Sequence, residues 1–357
     1  PENPYAYEQL PSIVTHKHFR AAYAGVQIYQ GGVYPKDTWG HAFIGNIHDN
    51  AIHEEILTPV GATFKCEPRR DFLRANDGWF RPVSTQTGPD GFLWIMDWCD
   101  KYPCYQNAKA NPEGVDRQYG RIWRVVHESD VGVQASADTK APAPPSNAPS
   151  PKGSTPTRLS KDLDLKKLST ADLVKTLEHP NNWMRRMARR MLVERAEADS
   201  KQMEQALRRL WNQSSVFSIK LEALWTMHQR RLIALGHGGK IDPILVEASQ
   251  SASEAIRVWL GRLSGELIDE CYHYGSRLRA KTEGTHLKKG FDMHFPLLEK
   301  LANDADPSVR SAVAVTLRQI THTKYSRPLP LTTNKEVRPD YIGADGRWLY
   351  PSPYDPP

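Results

Sequence analysis

Hydrophobic positions change period about halfway along the chain. Up to about residue 129, short apolar and aromatic runs alternate with Gly, Pro, Asp and Asn. Ala24–Gly32, His41–Asn46, Glu55–Thr58 and Ala62–Cys66 are such runs. Gly88-Pro89-Asp90-Gly91 is a tight-turn sequence, Phe92–Trp98 reads as a strand that carries Asp97 near its end, and Gly120–Val126 closes the series. Short strands at this spacing, bounded by turn residues, predict a β architecture of the propeller type, with four strands to a blade. Residues 1–129 then hold about two blades. A closed propeller takes at least four, so these sheets are expected to leave an edge that something else covers.

From about Leu159 to residue 327 the spacing becomes helical. Leu168–Leu177 predicts a helix with Ser169 as N-cap and Asp172 three residues on. His179-Pro180-Asn181-Asn182 breaks it, and Trp183–Arg195 is the next helix. This helix-break-helix unit recurs. Met184-Arg185, Ile219-Lys220, Ile256-Arg257 and Val309-Arg310 mark its second helices, at gaps of 35, 37 and 53 residues, the last enlarged by an insertion around Cys271–Gly290. Paired helices at this period predict a HEAT-type α-solenoid. Asp306-Pro307 opens the last second helix. Trp183, Trp211, Trp225 and Trp259 fall at helical positions and read as solenoid core.

Between the two regions, residues 130–158 are rich in Pro, Ala and Ser and predict an extended linker. Residues 328–357 read as an irregular Pro-rich tail. The fold class is therefore multidomain β plus α: a partial β-propeller followed by a HEAT-type solenoid.

Charge narrows the partners. The 357-residue chain has 47 Lys and Arg against 41 Asp and Glu, a net charge of +6. The nearest approach to a basic patch is Arg185, Arg186, Arg189 and Arg190, which a solvated helix face explains equally well, and no nucleic-acid partner is expected. No apolar run reaches the roughly 20 residues that span a bilayer. The four cysteines form no CxxC and no CxxCH, so no c-type haem attaches within this chain. Cys99 and Cys104 are either a local disulfide or two thiols.

Two clusters carry candidate chemistry. Gly45–Glu55 packs two His, two Asn and three acids into eleven residues, on a stretch that reads as a loop between strands. There His48 with Asp49 forms a candidate catalytic base and orienting acid, and Asn46, Asn50 and His53 are candidate binding residues. The alternative is a turn whose Asn and Asp satisfy backbone groups. The second cluster is Asp90, Asp97 and Asp100, with Arg81, Asp116 and Arg117 near in sequence. Arg81, Asp97, Asp100 and Arg117 are candidate binding residues. The alternative is that Asp90 is the turn residue before Gly91, and that Asp97 ends a strand and caps neighbouring amides. Ca²⁺ could draw on Asp71, Asn76, Asp77, Asp97 and Asp100, although their spacing matches no dedicated loop. His48 and His53 could also be metal ligands, although no metal-ligand set is assigned.

GHAFIGNIHDNAIHEEILTPVGATF, WFRPVSTQTGPDGFLWIMDW and DKYPCYQNAKANPEGVDRQYGRIWRV resemble the last blades of the membrane-bound dehydrogenase-like proteins, also called PVC-type haem-binding proteins. The resemblance covers roughly residues 20–320. It implies a propeller related to soluble glucose and sorbosone dehydrogenases, followed by HEAT repeats and, in many members, a haem module. By that resemblance the expectation is an exported, periplasmic or extracellular protein of a sugar- or alcohol-oxidising family, with a quinone as cofactor and a sugar or polyol as ligand. Its redox module and upstream blades would lie outside this chain. The competing expectation is a non-catalytic scaffold that uses the solenoid and propeller loops to hold protein or carbohydrate partners.

Overall fold

A computed structural model describes residues 16, 18, 22–102, 119–127, 163–195, 200–233, 241–277 and 294–322. The β-type region forms two antiparallel sheets. The first has the order β1 (Tyr23–Ile28), β2 (Ala42–Asn46), β3 (Ala51–Val60) and β4 (Thr63–Arg74). The second has the order β5 (Pro82–Thr87), β6 (Leu93–Asp97) and β7 (Arg121–Val125). Each strand pairs with its neighbour in sequence, the arrangement that short turns allow.

One expectation is corrected here. Gly45–Glu55 is not a loop: β2 runs to Asn46, β3 starts at Ala51, and Asn46 pairs directly with Ala51. Only residues 47–50 turn, with Asn50 in the left-handed region at φ 53°. The polar composition of the stretch suggests a loop, but His53, Glu54 and Glu55 are strand residues and all three are buried.

The sheets lie close together. A methyl group on Gly45 would meet the Ala24 carbonyl oxygen at 2.5 Å and that of Pro82 at 2.8 Å, so the first sheet tolerates no side chain there. Tyr29, Tyr34, Phe43, Ile52, Phe80, Phe92, Leu93 and Ile95 fill the shared core. Its two buried tyrosines also tie the sheets by hydrogen bonds. Tyr29 donates to the Gly91 carbonyl at 3.0 Å, and Tyr34 donates to the Val125 carbonyl at 2.6 Å while accepting from the Leu93 amide.

The second region is helical: α1 (Thr170–Thr176), α2 (Asn182–Glu194), α3 (Ser200–Gln213), α4 (Phe217–Gln229), α5 (Pro243–Ser249), α6 (Glu254–Arg277), α7 (residues 294–302) and α8 (Pro307–His322). The caps follow the sequence. Ser169 Oγ accepts from the Asp172 amide at 3.1 Å, Asn181 caps α2, and Asp242 caps α5 ahead of Pro243. The four expected anchors fall in α2, α4, α6 and α8. Leu173, Leu192, Leu207, Leu224 and Leu260 form one continuous core, in which Trp211 is buried and against which Trp183, Trp225 and Trp259 pack. No helix among the described residues is long and apolar enough to cross a membrane.

The two regions touch at two separated places. Asn181 Nδ2 donates to the Gly88 and Pro89 carbonyls, and the Asn182 amide donates to the Gln30 carbonyl at 2.9 Å. At the other end, Ser308 Oγ at the start of α8 donates to the Gly61 carbonyl in the β3–β4 turn at 3.0 Å. The expected linker and tail lie outside the described residues, as does the expected insertion from residue 278 on, whereas residues 271–277 belong to α6.

One buried ring sets a pH dependence. His294 on α7 is 1 % exposed, and neither ring nitrogen has a partner among the described residues. Burial holds its pKa down at about 4, so the ring stays neutral in the fold while the unfolded chain takes up a proton near pH 6.5. Its contribution is complete above that value and is lost as pH falls toward 4, amounting to roughly 3 kcal/mol. Urea unfolding at pH 7.5 and pH 4.5 should show this loss, and His294→Phe should reduce it.

Candidate functional site

Alternation along the first sheet places chemistry on the face away from the aromatic core. Phe43 and Ile52 point into the core, whereas Asn46, His53 and Glu55 share the other face. Asp71 on β4 is the direct partner of His53, and Tyr23 on β1 is the direct partner of Asn46. The pairing of β3 with β4 is irregular on both sides of His53, a bulge of the kind that re-aims side chains. Ahead of β1, His16 and His18 reach this face.

The hydrogen bonds fix the state of His53. Asn46 Oδ1 accepts from the Ala22 and His48 amides, each at 3.2 Å. That orients its amide, so Nδ2 donates to His53 Nε2 at 3.0 Å. His53 therefore carries its proton on Nδ1 and donates it to Asp71 at 2.6 Å. Burial raises the Asp71 pKa, but hydrogen bonds from His53 and Arg74 outweigh it and hold the carboxyl below its usual value. Arg74 bridges Asp71 at 2.6 Å and Asp49 at 2.9 Å. The His18 ring stacks on His53 at 3.7 Å with 12° between planes.

Two adjacent acids are stabilised in different ways. Glu54 is met by Arg69 and by His41 Nδ1, each at 2.8 Å. Glu55 is met by His16 Nε2 on one oxygen at 3.0 Å, by His18 Nε2 on the other at 2.5 Å, and by the Cys66 thiol at 3.5 Å. Burial, reinforced by the nearby Glu55 carboxylate, pushes the Cys66 thiol up to about 11, so it stays protonated.

The residues singled out in the sequence divide. Asn46 and His53 lie within this network. His48 sits on the 47–50 turn, and Asp49 beside it is held bidentately by Arg74, at 3.1 and 2.9 Å. Asn50 accepts from Arg81 and donates to the Asp77 carbonyl. Arg81 is buried and binds the Phe80, Gly78 and Lys101 carbonyls, so it ties loops together. Asp97 is saturated by protein donors: the Arg81 and Cys99 amides, Arg121 Nε and Trp123 Nε1. Asp100 accepts from the Tyr102 amide. The structure thus gives Arg81 and Asp97 structural partners, and it does not bring them to His53. Arg117 and Cys104 lie outside the described residues. Glu55 belongs to the sequence cluster without a role of its own there, whereas His16 and His18 lie outside both sequence clusters. The one signal for that pair was the His-Lys-His spacing, which can turn two imidazoles to the same side of an extended segment.

The fold and this face define a protein of two antiparallel sheets joined to paired helices, with a buried histidine and carboxylate network on the first sheet. A family model described as a domain of unknown function, DUF7133, matches residues 3–129, the region that includes this face. No curated protein and no solved structure matches the chain.

Proposed function

We propose that this chain works as an exported dehydrogenase-like protein acting on sugars or alcohols, with ligand approaching the 47–50 turn. One observation carries the proposal: the turn bearing His48 is held from both sides. Asn46 Oδ1 fixes the His48 amide, and Arg74 clamps Asp49. A base on a rigid turn beside a buried polar network is preorganised for proton transfer. A quinone is the electron carrier expected of this class, and the protein would act in the periplasm or outside the cell. The test is turnover of a panel of sugars and polyols with added quinone and an artificial acceptor. His48→Gln should lower the rate about a hundredfold, the usual worth of a general base, without moving Tm. Absence of turnover by the wild-type chain, or a rate that survives the substitution, contradicts the assignment.

A second reading rests on a different observation. Among the described strands β7 pairs only with β6, and around it Met96, Trp98, Ile122 and Trp123 are exposed. An open edge flanked by aromatic side chains suits strand addition by a protein partner, such as further propeller blades, and favours the scaffold alternative.

A further inference from the structure

We propose that His16, His18 and Glu55 bind a divalent first-row transition-metal ion. The first reason is the charge of Glu55. Its carboxylate is 2 % exposed, and no Lys or Arg among the described residues pairs with it. The other buried acids of this kind are compensated: Glu54 by Arg69, and Glu222 by Arg185 and Arg189. A buried carboxylate held only by imidazole and thiol hydrogen bonds is a site that a cation can take over. A bound cation supplies the positive charge that no Lys or Arg among the described residues brings to Glu55.

The second reason is convergence. One nitrogen from each of the two histidines and one Glu55 oxygen lie within 4.8 Å of one another. The two Nε2 atoms face different oxygens of the same carboxylate. Two imidazoles and one carboxylate form a three-ligand set with positions left for water or substrate. The third reason is support. His18 is stacked on His53, whose own orientation is locked by Asn46 and Asp71, so the His18 ring rests on a fixed neighbour. His53 itself is a poor ligand, since both its nitrogens are committed, so the set built on His16 is preferred to the one built on Asp71.

Donor chemistry selects the ion. Imidazole nitrogens suit Zn²⁺, Co²⁺ or Fe²⁺, whereas Ca²⁺ and Mg²⁺ need more oxygen donors than one carboxylate supplies. Cys66 hydrogen-bonds to Glu55 but is not one of the three converging donors. The site is independent of the dehydrogenase proposal, because it is measured with the metal alone.

The experiment uses the full chain, stripped with EDTA and dialysed, then titrated calorimetrically with Zn²⁺ and with Co²⁺, whose visible bands report its ligands. One ion per chain is expected, with a Kd on the order of 1 μM or tighter, unaffected by millimolar Mg²⁺. His16→Ala and Glu55→Gln should each weaken binding at least about tenfold, whereas His127→Gln should leave it unchanged. His16 lies ahead of β1, so its variant should melt with the EDTA-treated wild type even if Glu55→Gln is damaged. Absence of stoichiometric binding by the wild type, or undiminished affinity in His16→Ala, overturns the proposal.

Discussion

Asp97→Ala should destabilise the β-region by about 3–5 kcal/mol, the usual cost of breaking a buried charge pair by removing one partner. The Asp97 carboxylate is fully buried and accepts four hydrogen bonds. Oδ1 receives the Arg81 and Cys99 amides at 2.8 and 2.9 Å, while Oδ2 receives Arg121 Nε at 2.7 Å and Trp123 Nε1 at 2.8 Å. These donors come from β7 and from the segments flanking β5 and β6, so one side chain secures the end of the second sheet. Its loss strands four donors, two of them backbone amides. Since whole domains are stable by only about 5–15 kcal/mol, this is a large fraction. Urea unfolding followed by tryptophan fluorescence measures it directly. A change below about 1 kcal/mol would mean that water replaces the carboxylate at little cost.

Glu222→Ala should cost a similar amount in the helical region. Glu222 on α4 is 2 % exposed and pairs with Arg189 at 2.5 Å and Arg185 at 3.4 Å, both from α2. Burial raises the pKa of Glu222 and lowers that of Arg185, so each ion depends on the other. Arg189 also lies over the Trp225 ring at 4.9 Å, and Arg190 pairs outward with Glu194. Removing the carboxylate leaves two arginines facing each other in a largely desolvated space, at an expected cost of about 3–5 kcal/mol. Replacing Arg190, with its exposed partner, should leave the urea midpoint nearly unchanged. Equal effects from the two substitutions would contradict the inward orientation of Arg185 and Arg189.

How far the sequence could be read follows from which information is local. Ser169 with Asp172 and Asp306 with Pro307 mark helix starts through contacts a few residues long, and the structure places both as expected. The alternation of β followed by α was likewise visible in the period of the apolar positions. β3 and β4 proved longer than the runs Glu55–Thr58 and Ala62–Cys66, because they also pair through polar and charged residues such as His53 with Asp71. The candidate site was harder to read. Its key contact joins His18 to Glu55 across 37 residues, and two irregularities in the β3–β4 ladder decide where His53 and Glu55 point. Asp97 and Arg81 have the residue types of a ligand site, and only their hydrogen-bond partners reveal them as internal ties. Arg185 and Arg189 looked like a solvated face until Glu222, more than thirty residues on, supplied the reason for their burial.

Anomalous scattering from crystals grown with Zn²⁺ tests the account most directly. A peak at the zinc edge, about 2.0–2.2 Å from His16 Nε2, His18 Nε2 and a Glu55 oxygen, is the predicted result. Crystals whose only anomalous peaks lie elsewhere, with Glu55 still hydrogen-bonded to two histidines, would contradict it.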